Sequence, residues 1–409
     1  MLNNIGKWKI YALETGDFRL DGGAMMGSVP KVLWEQTNPA DELNRINLSL
    51  RCLFLDDGEN KVLVETGMGD KLKPDFSEMF CVDQPKHPLQ EKLADIGYLM
   101  QDITHVILTH LHFDHAGGAT TYDGNGSLVP AFPNARYYIS NTNWDAGINP
   151  NPRDRASYLT DNYLSLENSG CLDIINENTE ILSGVSTLVV HGHTFGQQLI
   201  KVDSDGETLV FCADLIPLRS HLKLPWIMGY DLNAILTLDE KTDFLKKAAE
   251  QNWWLWFYHD PKTVAVRIKK GKKHYDIVEE VMRYVSGHMR NDAYLFQQGV
   301  DAFNNRCFYD AHEFWEELWL EYKLEDADFI QGLIQLAVSY FHYFNGNLKG
   351  ARSMAKKSLC KFDPFNAARG IDVKGLKSKI IDLQNYYLEI ENTSYNIDTY
   401  IITLKVLHA

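Results

Sequence analysis

The sequence has cysteine but no cysteine pattern. Cys52, Cys81, Cys171, Cys212, Cys307 and Cys360 are scattered without paired spacing, which excludes a zinc ribbon and gives no disulfide framework, so buried thiols are expected. No window approaches the run of about 18 apolar residues that a membrane span needs. The opening Met1-Leu-Asn-Asn-Ile-Gly-Lys-Trp8 lacks the apolar core of a secretion signal. A cytoplasmic protein without a membrane partner is therefore expected. Positive charge is also short, with 40 Lys and Arg against 55 Asp and Glu and a net charge of -15. Such a surface repels phosphate backbones, and no nucleic-acid partner is expected. The one dense basic run, Arg267-Ile-Lys-Lys-Gly-Lys-Lys-His274, turns about a glycine and reads as the solvated tip of a hairpin.

What the chain does have is Thr109-His-Leu-His-Phe-Asp-His-Ala-Gly-Gly118, directly after the apolar Val106-Ile-Leu108. Three histidines and a carboxylate within six positions are a metal-binding composition. In extended backbone, residues two apart face one side, so His110 and His112 share one ion, while Asp114 and His115, past a bend, face a second position. Imidazole with carboxylate is a ligand set for zinc, iron or manganese. Gly117 and Gly118 suit a tight bend after the ligands.

At 409 residues the chain has length for two domains. The first third reads as strands at Lys9–Leu13, Leu48–Leu55 and Lys61–Glu65, with Asp57-Gly58 as a turn. The loop before Leu48 carries Met25, Met26, Val29, Val32, Leu33 and Trp34, too apolar for an idle connection, so it covers a core or lines a pocket. A helix is expected over Leu89–Gly97, a strand over Ala135–Ser140, and helices over Asn141–Asp145 and Arg153–Glu167. Three further strands end in donors: Val185–Val190 leads to His191 and His193, Thr208–Ala213 to Asp214, and Trp253–Tyr258 to His259. Together with the run ahead of His110, these four strands each finish in a metal-binding side chain, as a site along a sheet edge requires.

In this order the elements resemble the metallo-β-lactamase fold, with its His-x-His-x-Asp-His loop followed by a later His, an Asp and a final His. The resemblance covers roughly residues 8–280. It implies an α/β, αββα sandwich with two divalent ions at one end, zinc first, with iron or manganese as alternatives. The family pattern puts His110, His112 and His193 on one ion and Asp114, His115 and His259 on the other, with Asp214 bridging. His191 falls outside the pattern. Where the family usually carries Asp-Thr-Gly, this chain has Glu65-Thr66-Gly67, so a small change of geometry around the ligands is expected. The flanks Phe18–Gly27 and Ala213–Asp231 look most like the branch that contains methyl parathion hydrolase and acyl-homoserine lactonases.

That likeness implies a small-molecule ester or lactone substrate, with hydroxide formed at the metal pair attacking the carbonyl. Asp114 is the candidate proton shuttle and His221 a candidate hydrogen-bond partner of the substrate. Phe113, Phe195, Trp34, Trp226, Met228 and Tyr230 are candidates for an apolar funnel. Two other readings stand beside this one: a phosphodiesterase or nuclease using the same metals, and a metal-binding scaffold or sensor whose C-terminal part recruits a partner.

From about Tyr294 the texture becomes helical, with a boundary expected at 285–292 between a hydrolase domain over 1–285 and an all-α bundle over 293–409. Helices are expected at 293–303, 308–323, 326–345, 348–361 and 373–391, with Ile330, Leu333, Ile334, Ala337, Val338 and Phe341 as one apolar stripe and Gly346 and Gly370 as helix stops. Ala311-His-Glu-Phe-Trp-Glu-Glu-Leu-Trp319 is similar to an uncharacterised helical family marked by His-Glu-x-x-Glu-x-x-Trp. His312 and Glu316, one helical turn apart on one face, hold a metal or an acidic network or, the favoured reading, belong to a hydrogen-bond cluster beneath Trp315 and Trp319; the role of Glu313 is open. The second histidine that a zinc protease needs is missing at position 316. The bundle's partner is unidentified, and a homodimer is compatible with the sequence.

Overall fold

Helical and alternating patterns resolve into two units, Met1–Arg283 and Tyr284–Ala409. The computed structural model describes residues 2, 4–272, 274–283, 292–321, 324, 326–389 and 397–406. The expected boundary segment at 285–292 lies outside these residues except for Asp292, as do positions 322, 323, 390 and 391 of the expected helix ends.

In the first unit the strands are β1 (Asn4–Ile5), β2 (Trp8–Asp21), β3 (Arg45–Asp56), β4 (Lys61–Val64), β5 (His105–Ile107), β6 (Thr120–Tyr122), β7 (Leu128–Pro130), β8 (Arg136–Ser140), β9 (Leu172–Ile175), β10 (Glu180–Leu182), β11 (Val185–Val190), β12 (Gln197–Ser204), β13 (Glu207–Phe211), β14 (Trp254–Trp256), β15 (Thr263–Lys270) and β16 (Tyr275–Met282). Among the described residues they form two seven-stranded sheets, ordered β1-β2-β3-β4-β5-β8-β9 and β10 through β16 in sequence. The first sheet is antiparallel through β4 and parallel from β4 to β9. In the second, only β13 and β14 run parallel. Leu50, Leu53, Phe54 and Ile107 from one sheet and Leu199, Leu209, Leu255 and Val266 from the other are buried in a single core, which is why β3 reads as an almost unbroken apolar run. The architecture is the α/β sandwich of the metallo-β-lactamase fold, and its layers place the ends of β5, β11, β13 and β14 together.

Three local expectations need correction. The loop after β2 is shorter than expected, because β2 runs on to Asp21 and pairs with β3 down to Arg45. Two short helices, Gly22–Met26 and Lys31–Trp34, follow. Met25, Met26 and Trp34 are buried whereas Val32 and Leu33 are exposed. A Cβ on Gly22 would lie 2.6 Å from the Trp34 ring, so this indole is packed as core and is not a funnel wall. The helix expected over 153–167 is instead two 3-10 turns, Arg155–Ser157 and Thr160–Asn162, and the short helix Leu164–Asn168. Buried Tyr158, Asn162 and Tyr163 hold this irregular path. The basic run does form a hairpin tip, with Gly271 N donating to the His274 carbonyl and Lys269, Lys270 and Lys272 exposed.

The second unit contains helices Asp292–Asn304, Phe308–Glu321, Ala327–Phe344, Leu348–Lys361 and Val373–Glu389 around its own core of Phe303, Trp315, Leu333, Tyr340, Ile380 and Tyr387. The inward stripe of the third helix is Phe329, Ile330, Leu333, Leu336, Ala337 and Tyr340. Ile334 and Val338 are half-buried and Phe341 is more exposed, because aromatic residues on two adjacent faces left the sequence pattern ambiguous by one position. Gly346 follows the helix end with φ 73, as expected. Gly370 instead pairs with Arg369 at positive φ in a two-residue turn between short strands at 367–368 and 371–372. No helix among the described residues is long and apolar enough to cross a membrane.

Because each unit closes its own core, a chain ending at residue 283 is expected to fold and to unfold cooperatively. Arg283 must be retained, since it pairs with Glu14 at 3.0 Å and Asp17 at 2.6 Å. Aggregation of that truncation on size-exclusion chromatography would reveal a core shared by the two units.

Candidate metal centre

Strand ends deliver the donors. β5 stops at Ile107, and the chain then presents His110 and His112 before the short helix Phe113–Ala116, whose first turn carries Asp114 and His115. His193 follows β11, Asp214 lies in the 3-10 turn after β13, and His259 follows β14. All seven side chains are buried or nearly so. His110 Nε2 lies 3.1 Å and His193 Nε2 3.3 Å from His112 Nδ1. On the other side His259 Nε2 is 3.3 Å from His115 Nε2, and Asp114 Oδ2 sits 3.7 and 3.6 Å from those two nitrogens. Asp214 spans the groups, with Oδ2 at 3.3 Å from His193 Nε2 and Oδ1 at 3.6 and 3.3 Å from His115 and His259 Nε2.

Four of the five histidines are oriented from behind. His115 Nδ1 faces Glu65 Oε1 at 3.2 Å, His193 Nδ1 faces Asp231 Oδ1 at 2.9 Å, and His259 Nδ1 faces the Ser49 carbonyl at 2.9 Å. His110 Nδ1 lies 2.9 Å from the Thr109 hydroxyl, which itself donates to Glu65. Those acceptors fix the Nδ1–H tautomer and leave each Nε2 lone pair turned inward. Glu65 groups with His110 and His115 by distance, but it addresses His115 through the outward nitrogen and so supports the ligands from outside. The longer acid at this position sits on backbone with φ 67.

The residues fit a metal pair. Two nitrogens bonded to one tetrahedral zinc at about 2.05 Å stand roughly 3.3 Å apart, which is the spacing found here. Asp214 Oδ1 is a buried carboxylate oxygen without a hydrogen-bond partner, a group that needs a cation or a donor. Electrostatics agree. Burial raises the Asp214 carboxyl, but the imidazoles of His115, His259 and His193 outweigh it and hold it well below the usual range. Burial pushes His115 down, and the carboxylates of Asp114, Asp214 and Glu65 reverse that and hold it well above its ordinary value. His110 and His112 are driven down by burial and by neighbouring imidazoles.

The remaining sequence candidates divide. His221 is 1% exposed, with Nε2 against the Met25 carbonyl at 3.0 Å, and burial pulls it down to about 3. Nε2 thus ties two loops together, while Nδ1 is buried without a hydrogen-bond partner, so only Nδ1 is left for the expected substrate contact. His191 lies outside the cluster, accepting from Gly196 N and facing Glu177 at 3.5 Å. Among the funnel candidates, Trp226 and Met228 are buried while Phe195 and Tyr230 remain exposed. Phe113 stands in an aromatic group with Phe76 and Phe80, at centroid distances of 5.0 and 5.6 Å. In the second unit His312 is bracketed, Nδ1 at 3.1 Å from Glu313 and Nε2 at 3.5 Å from Glu316. Trp315 is buried and donates to the Phe296 carbonyl, whereas Trp319 is partly exposed. Asp231 and the Ser49 carbonyl were not legible beforehand. Asp231 closes the Ala213–Asp231 flank, but no spacing links it to His193.

Residues 296–354 match a domain of unknown function, DUF309. An N-acyl homoserine lactonase of Bacillus cereus is 31% identical over 176 residues, covering 41% of this chain and 63% of that protein. A probable metallo-hydrolase of Mycobacterium tuberculosis is 26% identical over 216 residues, covering 46% and 64%. The chain thus spans less than two thirds of the length of these curated relatives. A probable metal-dependent hydrolase from Staphylococcus aureus superposes with a TM-score of 0.64 at 29% identity, covering 69% of this chain and all of that one. AidC, a dizinc quorum-quenching lactonase, does so at 0.58 and 20% identity, covering 69% and 97%, a likeness of fold alone. With residues 50–256 matching its family description, the chain belongs to the metallo-beta-lactamase superfamily.

Proposed function

We propose that this chain is a dinuclear metal-dependent hydrolase that opens ester or lactone bonds in small molecules. The observation that carries the reading is Asp214, which turns one oxygen to each of two donor groups, one of three imidazoles and one of two imidazoles with a carboxylate. His110, His112 and His193 would hold one ion and Asp114, His115 and His259 the other. Divalent ions there supply Lewis acidity toward a carbonyl and acidify water at neutral pH. Zinc is the favoured metal because the donors are nitrogen and carboxylate oxygen at tetrahedral spacing.

The chain's own groups do the rest. Asp114 presents Oδ2 to the imidazoles, which leaves its other oxygen to accept a proton and pass it to the leaving alkoxide. Tyr258 donates to the Asp114 carbonyl oxygen and fixes the turn on which that carboxylate rides. The Phe76, Phe80 and Phe113 group beside the motif and Tyr158, 4.8 Å from the His112 ring, give an apolar surround that favours an acyl or aryl group over a charged one. The lactonase relative supports the same substrate class. Free cysteines throughout the described chain fit a reducing cytoplasm.

The test is metal analysis of the purified full chain with a panel of N-acyl homoserine lactone, aryl ester and phosphotriester. Two equivalents of zinc and turnover of a lactone or ester that stops with chelator and returns with zinc are expected. Turnover of phosphoesters alone would overturn the carbonyl assignment. Asp231→Ala should leave the fold intact and weaken metal binding by about 10- to 100-fold, read by chelator competition, because His193 loses the carboxylate that orients it.

A further inference from the structure

The connection from β13 to the helix Ala234–Glu250 carries Asp214 near its start and Asp231 near its end, with Trp226, Met228 and Tyr230 between them. Apart from 3-10 turns at Ala213–Leu215 and Arg219–Leu222 it is irregular, so its carbonyls have no ladder to satisfy them. Its far end is fastened by other elements. Gly229 N donates to the Ala24 carbonyl and Leu232 N to the His193 carbonyl, while Arg153 donates to the Gly229 carbonyl. In the middle, 221–226, the backbone bonds are local, running from His221 N to Leu218 O, Lys223 N to Ser220 O and Trp226 N to Lys223 O.

Lys241 reaches that middle stretch. It lies on the inward face of the helix Ala234–Glu250 with Thr237, Phe244, Leu245 and Ala248, and is wholly buried. Its Nζ donates to the carbonyls of His221 at 3.2 Å, Lys223 at 3.3 Å and Trp226. Three donors thus meet three acceptors, which is the full capacity of an ammonium. Burial draws the group down to about 7 against an upward pull from Asp231. A buried cation is a costly way to fill space that a methionine would fill without penalty, so its value lies in the carbonyls it gathers.

We propose that Lys241 is a positioning residue of the metal site, clamping the 221–226 backbone so that Asp231 meets His193 and the exposed Tyr230 beside it is held in place. The proposal rests on the hydrolase reading for its kinetic consequence but not for its structural one. Zinc-loaded full-length Lys241→Met, which keeps length and loses all donors, and Lys241→Gln, which keeps an N–H donor, are compared with the parent protein. In Lys241→Met, amide hydrogen exchange over 219–232 is expected to quicken about tenfold or more while the strands of both sheets keep their protection. KM for the accepted substrate rises about tenfold with kcat changed less than about threefold, and Lys241→Gln falls between. Should no substrate be turned over, the hydrolase reading fails, and the exchange pattern still decides the role of Lys241. Unchanged exchange over 219–232, equal acceleration across the whole unit, or failure of both variants to fold would each overturn the proposal and make Lys241 a general core residue.

Discussion

Asp214→Ala is expected to leave the sandwich folded, to strip at least one of two metal equivalents, and to lower kcat/KM on any accepted lactone or ester by on the order of 10³-fold, about 4 kcal/mol. The magnitude follows from position. Asp114, His115 and His259 form one donor group and His110, His112 and His193 the other, and Asp214 is the residue that faces both, at 3.3 to 3.6 Å from three inward nitrogens. Removing it takes an oxygen from each group at once and leaves imidazoles facing one another across a buried space, with less negative charge to hold cations. Asp214→Asn keeps the shape but loses the charge, so it should retain more metal than the alanine variant and still lose most turnover. Elemental analysis after gel filtration, paired with kinetics at saturating zinc, separates lost binding from lost chemistry. Full metal content and activity in Asp214→Ala would refute the bridging assignment.

How much of this was legible in sequence depended on whether the signal was local. His110, His112, Asp114 and His115 share one short segment, and His193, Asp214 and His259 each follow an apolar run, so strand-end reasoning reached these seven along with His191, the family resemblance singled out His193, and the structure brings the seven side chains together. The supporting contacts resisted because each joins distant segments through a generic group. Glu65 holds His115 across 50 positions, the Ser49 carbonyl holds His259 across 210, and a backbone carbonyl has no sequence signature at all. His221 was visible only as a histidine seven positions past Asp214, and nothing in the sequence shows that its Nε2 meets the Met25 carbonyl while its Nδ1 stays unpartnered. Lys241 was invisible for a related reason. A lysine in an amphipathic helix normally marks the solvated face, and here one lies on the buried face, where unpaired loop carbonyls outweigh the cost of burying its charge. On the helix Ala327–Phe344, apolar residues extend over more than half the circumference, so periodicity identified a helix without fixing which residues turn inward.

Arg51→Met is expected to cost about 3–5 kcal/mol of stability. Arg51 is wholly buried in β3, where its Nε donates to Glu14 on the paired strand β2 and one terminal nitrogen donates to the carbonyls of Phe257 and Thr263, both at 2.9 Å. Glu14 is also held by Arg283 at 3.0 Å. A single guanidinium thus ties two strands of the first sheet to the segment that leaves β14 in the second. Methionine fills the volume but leaves two buried carbonyls without their donor and Glu14 with one cation fewer, and such orphaned groups account for most of the loss. Arg51→Lys should recover part of it, since an ammonium keeps the charge but not the fork that reaches both sheets. The consequence extends to the site, because on the same strand the Ser49 carbonyl accepts from His259 Nδ1, while Arg51 N donates to the Tyr258 carbonyl and Ser49 N to the His259 carbonyl. Urea unfolding should therefore show a lower midpoint with unchanged slope, together with weaker zinc retention that tracks the stability loss. A variant as stable as the parent would mean that the two sheets are held at this point by apolar packing alone.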